Sequence, residues 1–243
     1  MAGADSMQYD VALHVATVLS TIVILWHEFS GMCRSFFTLR RDENTSLVCK
    51  ILVSCIPVGI VGVCFKEQVE GFFGQNLNIV GISLCVTALL LSFAYFTRTL
   101  PSIRRRGVRD SMSSGRPIGY FDAFIIGCAQ AVAVIPGLSR SGTTIATGIL
   151  LGNRRDKVAK FSFLMVIIPI LGQGLLDVYK GISTGDIAGG VSLGALAAGF
   201  LAAFVSGCIA CKWMIELVKR GRLVWFALSV SYTHLRAHET LRY

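Results

Sequence analysis

The sequence predicts an all-α, polytopic membrane protein, an inverted-repeat helical bundle that carries a re-entrant helical hairpin. Three observations lead there. The chain of 243 residues is 53% hydrophobic and only 15% charged, outside the usual range of a soluble domain. Several apolar runs approach the roughly 20 residues needed to cross a bilayer core of about 30 Å. One further apolar run, from Phe121 to Leu151, is interrupted by the polar heptapeptide Pro136-Gly-Leu-Ser-Arg-Ser-Gly142, followed by Thr143-Thr144.

The elements follow in chain order. Met1–Asp10 is polar and lacks a basic start, so it is no cleavable signal. Val11–Phe29 is read as a first span, a short one that carries His14 and His27. Leu47–Phe65 and Leu77–Phe96 are clearer spans, as are Val158–Val178 and Gly190–Cys211 beyond the hairpin. Leu223–Val230 opens another apolar run but stops far short of a crossing. The integral-membrane domain is therefore placed at residues 1–228. Residues 229–243 are polar and basic, resemble a translated adapter read-through, and are read as a non-native tail. His234, His238 and Glu239 fall in that tail and are not taken as a metal site.

The net charge of +9 is explained by topology. Arg98, Arg104, Arg105, Arg106, Arg109 and Arg116 crowd into Thr97–Pro117. Arg34, Arg40 and Arg41 mark a second basic loop; Arg154, Arg155, Lys157 and Lys160 a third; Lys212, Lys219, Arg220 and Arg222 a fourth. Lys66–Asn76 and Tyr179–Gly189 are poor in positive charge. The positive-inside rule places the basic loops in the cytoplasm. No nucleic-acid partner is expected, because the arginine-rich segment lacks the interleaved aromatics that stack on bases.

Both flanks of Phe121–Leu151 thus lie on one side, so the segment must enter the membrane and return. Pro136-Gly137 is where a helix would break. The hairpin is expected to run in over Phe121–Ile135 and out over Gly142–Gly152. The second arm should begin near Ser141, with its N-terminal amides aimed at a cavity, an arrangement that favours an anion. An arginine at that depth is costly and usually faces a cavity or a partner. Guanidinium, hydroxyls and glycine-freed amides together suit a phosphate group. Close packing of small residues accounts for Ser, Gly and Thr but not for Arg140.

Three apolar runs follow the hairpin, and three precede the arginine-rich loop without a hairpin ahead of them. Broken helices at matching places in two halves are a mark of inverted-repeat membrane folds. The layout suggests that the first hairpin is missing and that the chain starts late.

The run Cys128-Ala-Gln-Ala-Val-Ala-Val-Ile-Pro-Gly-Leu-Ser-Arg-Ser-Gly-Thr-Thr144, with Gly148-Ile-Leu-Leu-Gly152 behind it, resembles the undecaprenyl-diphosphate phosphatase, or bacitracin-resistance, family of bacterial membranes. The likeness extends to Phe161-Ser-Phe-Leu164, Pro169, Leu176-Asp177 and Tyr9-Asp-Val-Ala-Leu-His14, and covers roughly residues 8 to 228. It implies an enzyme that removes the terminal phosphate of a C55 isoprenoid diphosphate and so recycles the peptidoglycan lipid carrier. It implies a fold with two re-entrant hairpins, a place in the plasma membrane, and a catalytic cavity on the extracytoplasmic side. Membrane lipids and a second copy, as a homodimer, are the other partners considered.

By that resemblance Arg140, Ser139 and Ser141 are the catalytic candidates. Arg140 would clamp the diphosphate and stabilise charge in the transition state. Gly137, Gly142, Thr144 and Gln130 are the substrate-binding candidates. The family's divalent cation, Mg²⁺ or Ca²⁺, is expected as cofactor. Its acidic pair, Glu-x-x-x-Glu before a Pro-x-Ser-Ser-x-Gly-His segment, is absent, so no metal ligand is assigned and the chain as written is expected to be inactive or severely impaired. His14 is a weak substitute base, and Glu28 and Asp177 read as interfacial. The alternative is a transporter or flippase for an anionic lipid or solute, since broken helices around a buried anion site serve carriers as well. A phosphatidic-acid-phosphatase reading falls away, because no histidine lies between His27 and His234. The cysteines, Cys208-x-x-Cys211 included, read as apolar packing within spans.

Overall fold

The computed structural model describes residues 2–38, 43–64, 77–99, 115–135, 137–184 and 193–219. Among them the regular structure is helical: α1 (Ala2–Ile24), α2 (Trp26–Thr38), α3 (Glu43–Cys64), α4 (Leu77–Thr99), α5 (Tyr120–Val132), α6 (Arg140–Leu150), α7 (Arg155–Thr184) and α8 (Leu193–Lys219). Three stretches are long and apolar enough to cross a membrane: Glu43–Gly62 of α3, Arg155–Leu176 of α7 and Gly194–Lys219 of α8, with mean hydropathies of 1.9, 1.8 and 2.0. The protein is an all-α, multi-pass membrane protein. The Leu223–Val230 run, the tail and the arginines from Arg104 to Arg109 lie outside the described residues.

The expected first span falls on a bent pair of helices that together are apolar enough to be one broken span or a re-entrant loop. Val11–Ile24 and Trp26–Ser35 are separate arms bent by 90° at Leu25, not one straight crossing over Val11–Phe29. The residues after Leu25 interleave Trp26, Phe29 and Met32 with His27, Glu28 and Arg34. That amphipathic composition suits an interface better than hydrocarbon. α4 forms where the Leu77–Phe96 span was expected, with Gly81–Ala94 as its apolar stretch.

The chain divides into two compact units, Met1–Val48 with Phe163–Met214, and Cys49–Ser162 with Ile215–Tyr243. In the first, α1 meets α8 at small residues. A Cβ on Gly207 would stand 2.6 Å from Ser20 Oγ, and Cys208 Sγ lies 4.0 Å from the Ser20 carbonyl. Where lipid offers no hydrophobic drive, such close approach carries the packing energy. The hydroxyls of Ser20 and Thr21 donate to the Thr17 carbonyl at 2.8 and 3.0 Å, so they need no water.

In the second unit residues 49–64 of α3, α4 and residues 155–162 of α7 touch the short pair α5 and α6. Ile51, Leu91, Ile126, Ile145, Ile149, Val158 and Phe161 form its core. α5 lies so close to α3 that a Cβ on Gly127 would stand 2.3 Å from the Ser54 carbonyl oxygen. Gly148 of α6 plays the same part against Val158 and Ile126, at 2.6 and 3.3 Å.

Gly127→Ala should therefore force α5 away from α3 and destabilise the protein by about 1–3 kcal/mol. Gly59→Ala, with nothing within 4 Å of its new methyl, should be neutral or stabilising. Denaturation of the two variants in detergent checks the contrast. Equal midpoints would mean that the contact at Gly127 has slack.

Candidate functional site

The hairpin is closed at its base by a clasp that the sequence sets up locally. Gly119, the N-cap of α5, has no side chain to cap with, so Asp122 three residues on reaches back to its N–H at 2.9 Å. The other carboxylate oxygen accepts from Arg116 at 2.6 Å. Asp122 is buried while Arg116 stays half in the open, so the carboxylate is neutralised from the outside. The backbones join as well. The Arg116 N–H donates to the Gly152 carbonyl and the Arg154 N–H to the Arg116 carbonyl, both at 3.1 Å. α6 ends in a Schellman turn, with Asn153 N–H on the Gly148 carbonyl and Gly152 N–H on that of Ile149. The turn needs a left-handed residue, and Gly152 supplies it at φ 93°. The chain thus leaves α6 beside the point where it came into α5.

At the other end the turn places the polar motif. α5 stops at Val132, Gly137 takes φ 88°, and Ser139 is extended, at φ −71° and ψ 109°. Ser139 is the N-cap of α6: its Oγ accepts from the Gly142 N–H at 3.1 Å and its carbonyl from the Thr143 N–H at 2.9 Å. The second arm therefore starts at Arg140, one residue before the expected start near Ser141, because Ser139 is a strong cap. Ser139's own N–H donates to Thr87 Oγ1 of α4 at 3.2 Å.

This bonding decides which groups remain for a ligand. Of the amides at the start of α6, those of Arg140 and Ser141 have no acceptor among the described residues. The Arg140 side chain is exposed, and no described carboxylate pairs with it. Ser139 Oγ accepts one bond and keeps its O–H to donate. The cluster is cationic, rich in donors and set at a helix N-terminus.

Other expected residues are placed differently. Thr144 is fully buried; its hydroxyl lies 2.9 Å from the Arg140 carbonyl and pairs with the Ser162 hydroxyl of α7. It is a strut between helices. Gly142 is wedged against Thr87 Cγ2, 2.9 Å from where a Cβ would stand, and its amide belongs to the cap. Gln130 is fully buried on α5, one turn nearer the tip than Ile126, and neither of its amide atoms has a partner among the described residues. His14 and Glu28 lie in the other unit, on α1 and α2. Asp177 lies on α7.

Sequence reasoning missed Thr87, Ser162 and Asp122. Asp122 alone carried a readable signal, an acid at the third helical position behind an uncapped glycine. As for a divalent cation, no group of three or more His, Cys, Asp or Glu converges among the described residues. Asp122, the acid of the hairpin, is already held by Arg116 and Gly119. The described residues do not make a cation site, and no chemical step is derived through one.

Comparison with known proteins bears on the whole chain. Residues 1–232 match the family model described as bacitracin resistance protein BacA. An undecaprenyl-diphosphatase of Parabacteroides distasonis is 51% identical over 226 residues, which are 93% of this chain and 80% of that protein. One of Bacteroides fragilis is 52% identical over the same shares. One of Methanothermobacter thermautotrophicus is 40% identical over 73% of this chain and 91% of its own. The hairpin with its unpaired arginine is thus part of a chain that belongs to the bacitracin resistance protein BacA family.

Proposed function

We propose that the chain acts as an undecaprenyl-diphosphatase, hydrolysing a lipid diphosphate to the lipid monophosphate and inorganic phosphate, and that the tip of its hairpin seats the diphosphate. The observation that carries the assignment of the tip is Arg140. Its guanidinium stands unpaired among the described residues beside two unbonded amides at the start of α6. Leaving an arginine so placed costs roughly 3 kcal/mol by insertion scales, which only a ligand of opposite charge offsets. The hairpin is taken as re-entrant, in the plasma membrane of a bacterium, with its tip open to the extracytoplasmic side. The inverted repeat is part of the same proposal.

In the hydrolysis a water oxygen attacks the terminal phosphorus. The bond from that phosphorus to the bridging oxygen breaks, and the bridging oxygen leaves with the lipid monophosphate. Negative charge on the equatorial and bridging oxygens must be met in a site that excludes water. Arg140 can meet it as a two-pronged donor, and its fixed charge needs no proton transfer. The amides of Arg140 and Ser141 and the hydroxyl of Ser139 add donors along the helix axis, where the dipole favours an anion. Thr144, with its hydroxyl engaged by Ser162, keeps the helix start rigid rather than touching the phosphate.

Two sets of variants test this. Arg140→Ala should weaken binding of a detergent-dispersed isoprenoid diphosphate by roughly 10- to 100-fold, with Arg140→Lys recovering part of the loss. Ser139→Asp should keep the helix start, since aspartate caps as well as serine, yet repel the anion. Its melting temperature should stay at the wild-type value while binding falls at least as far as in Ser139→Ala. Diphosphate binding that ignores all four changes would remove the tip from the site. In proteoliposomes, movement of the diphosphate lipid across the bilayer with no release of inorganic phosphate would replace the enzyme by a carrier.

A further inference from the structure

We infer that Thr87, in the middle of α4, is a positioning residue for the phosphate site. The inference rests on the reading of the tip as that site. Thr87 is fully buried, and each part of its side chain has a defined task. Its hydroxyl donates to the Ser83 carbonyl one turn back at 3.0 Å, which fixes the rotor. With the hydrogen so placed, a lone pair faces the Ser139 N–H at 3.2 Å. Its Cγ2 fills the place a side chain would need at Gly142, 2.9 Å from an ideal Cβ there. One residue of α4 thus holds the N-cap of α6 and the third residue of that helix together.

The consequence is chemical as well as structural. The Ser139 amide would otherwise be an unbonded donor beside the phosphate, competing with those of Arg140 and Ser141. Thr87 takes it, so the anion is offered the two amides beyond the cap and the guanidinium. The bond also fixes the Ser139 main chain, which keeps Ser139 Oγ on the Gly142 N–H and its O–H free to donate. A displacement of a charge-stabilising donor by about 1 Å is enough to lower its effect substantially. Thr87 touches no substrate atom; it acts through Ser139.

Three substitutions separate the parts of this role. Thr87→Val keeps the shape and removes the acceptor. Thr87→Ser keeps the acceptor and removes the methyl. Arg140→Ala removes the charge without touching the tether. The purified chain in detergent is assayed for binding of a C15 isoprenoid diphosphate and for amide hydrogen exchange in peptides covering residues 137–143. Thr87→Val should weaken binding about fivefold and speed exchange at the tip by a similar factor, the worth of one hydrogen bond. Thr87→Ser should restore both, and Arg140→Ala should weaken binding roughly 10- to 100-fold with tip exchange unchanged. Wild-type binding and exchange in Thr87→Val would overturn the tether while leaving the phosphate site intact. Faster exchange throughout α4 and α5 in both Thr87 variants would overturn it in favour of general packing. Binding unaffected by Arg140→Ala, or absent from the wild-type chain, would overturn the phosphate reading, and with it the role given to Thr87.

Discussion

Backbone amides that leave helical geometry between apolar helices must find their partners in protein, and the rest of the hairpin follows from how that demand is met. An N–H left unpaired away from water costs several kcal/mol. Between α5 and α6 the amides of Val134, Ile135 and Leu138 turn back on the carbonyls of Ala131, Val132 and Ile135. Those of Gly142 and Thr143 go to Ser139, and that of Ser139 goes to Thr87. The turn is held from within and from α4. Among the described residues the amides of Gly137, Arg140 and Ser141 have no acceptor, and the last two lie together at the start of α6.

The two arginines of the hairpin show the same constraint from opposite sides. Arg116 sits at the base, partly in the open, and neutralises the buried Asp122. Breaking that pair would strand a carboxylate in the interior, a loss of about 3–5 kcal/mol for a fully buried pair and less where one partner is half exposed, as here. Arg140 sits at the tip with no described carboxylate. A structural arginine would be expected to resemble the first. The clasp at Arg116 contributes stability, whereas Arg140 is exposed and has no described partner to do the same.

Much of this was legible in the sequence, and the limits of legibility are physical. The arms of the hairpin were readable because local signals mark them: Pro136-Gly137 at the break, Gly152 at a left-handed position, a polar island in an apolar run. The start of α6 was expected near Ser141 and lies at Arg140, one residue earlier, because Ser139 is the cap. The bend at Leu25 has neither proline nor glycine to announce it. It is set by the shift from an apolar to an amphipathic composition over several residues. Thr144 and Thr87 fail for another reason. A threonine pattern gives no sign of whether a hydroxyl faces a ligand, as expected of Thr144, or Ser162, as found. Nothing local in Leu77–Phe96 marks Thr87, whose partner lies 52 residues downstream.

The motif Ser139-Arg140-Ser141-Gly142 can then be understood as four positions with four distinct duties. Ser139 must be small, must cap and must keep a donatable proton, which serine does and aspartate does not. Arg140 is exposed and has no described carboxylate partner, so packing does not account for its identity. Ser141 contributes its amide whatever its side chain, and the hydroxyl is an addition to that. Gly142 answers to Thr87, whose methyl occupies the space of its missing side chain. A site arranged in this way ties affinity to stability only at its ends. The charge in the middle can be altered without moving the helix, whereas losing the cap or filling the space at the glycine moves the amides that the charge relies on.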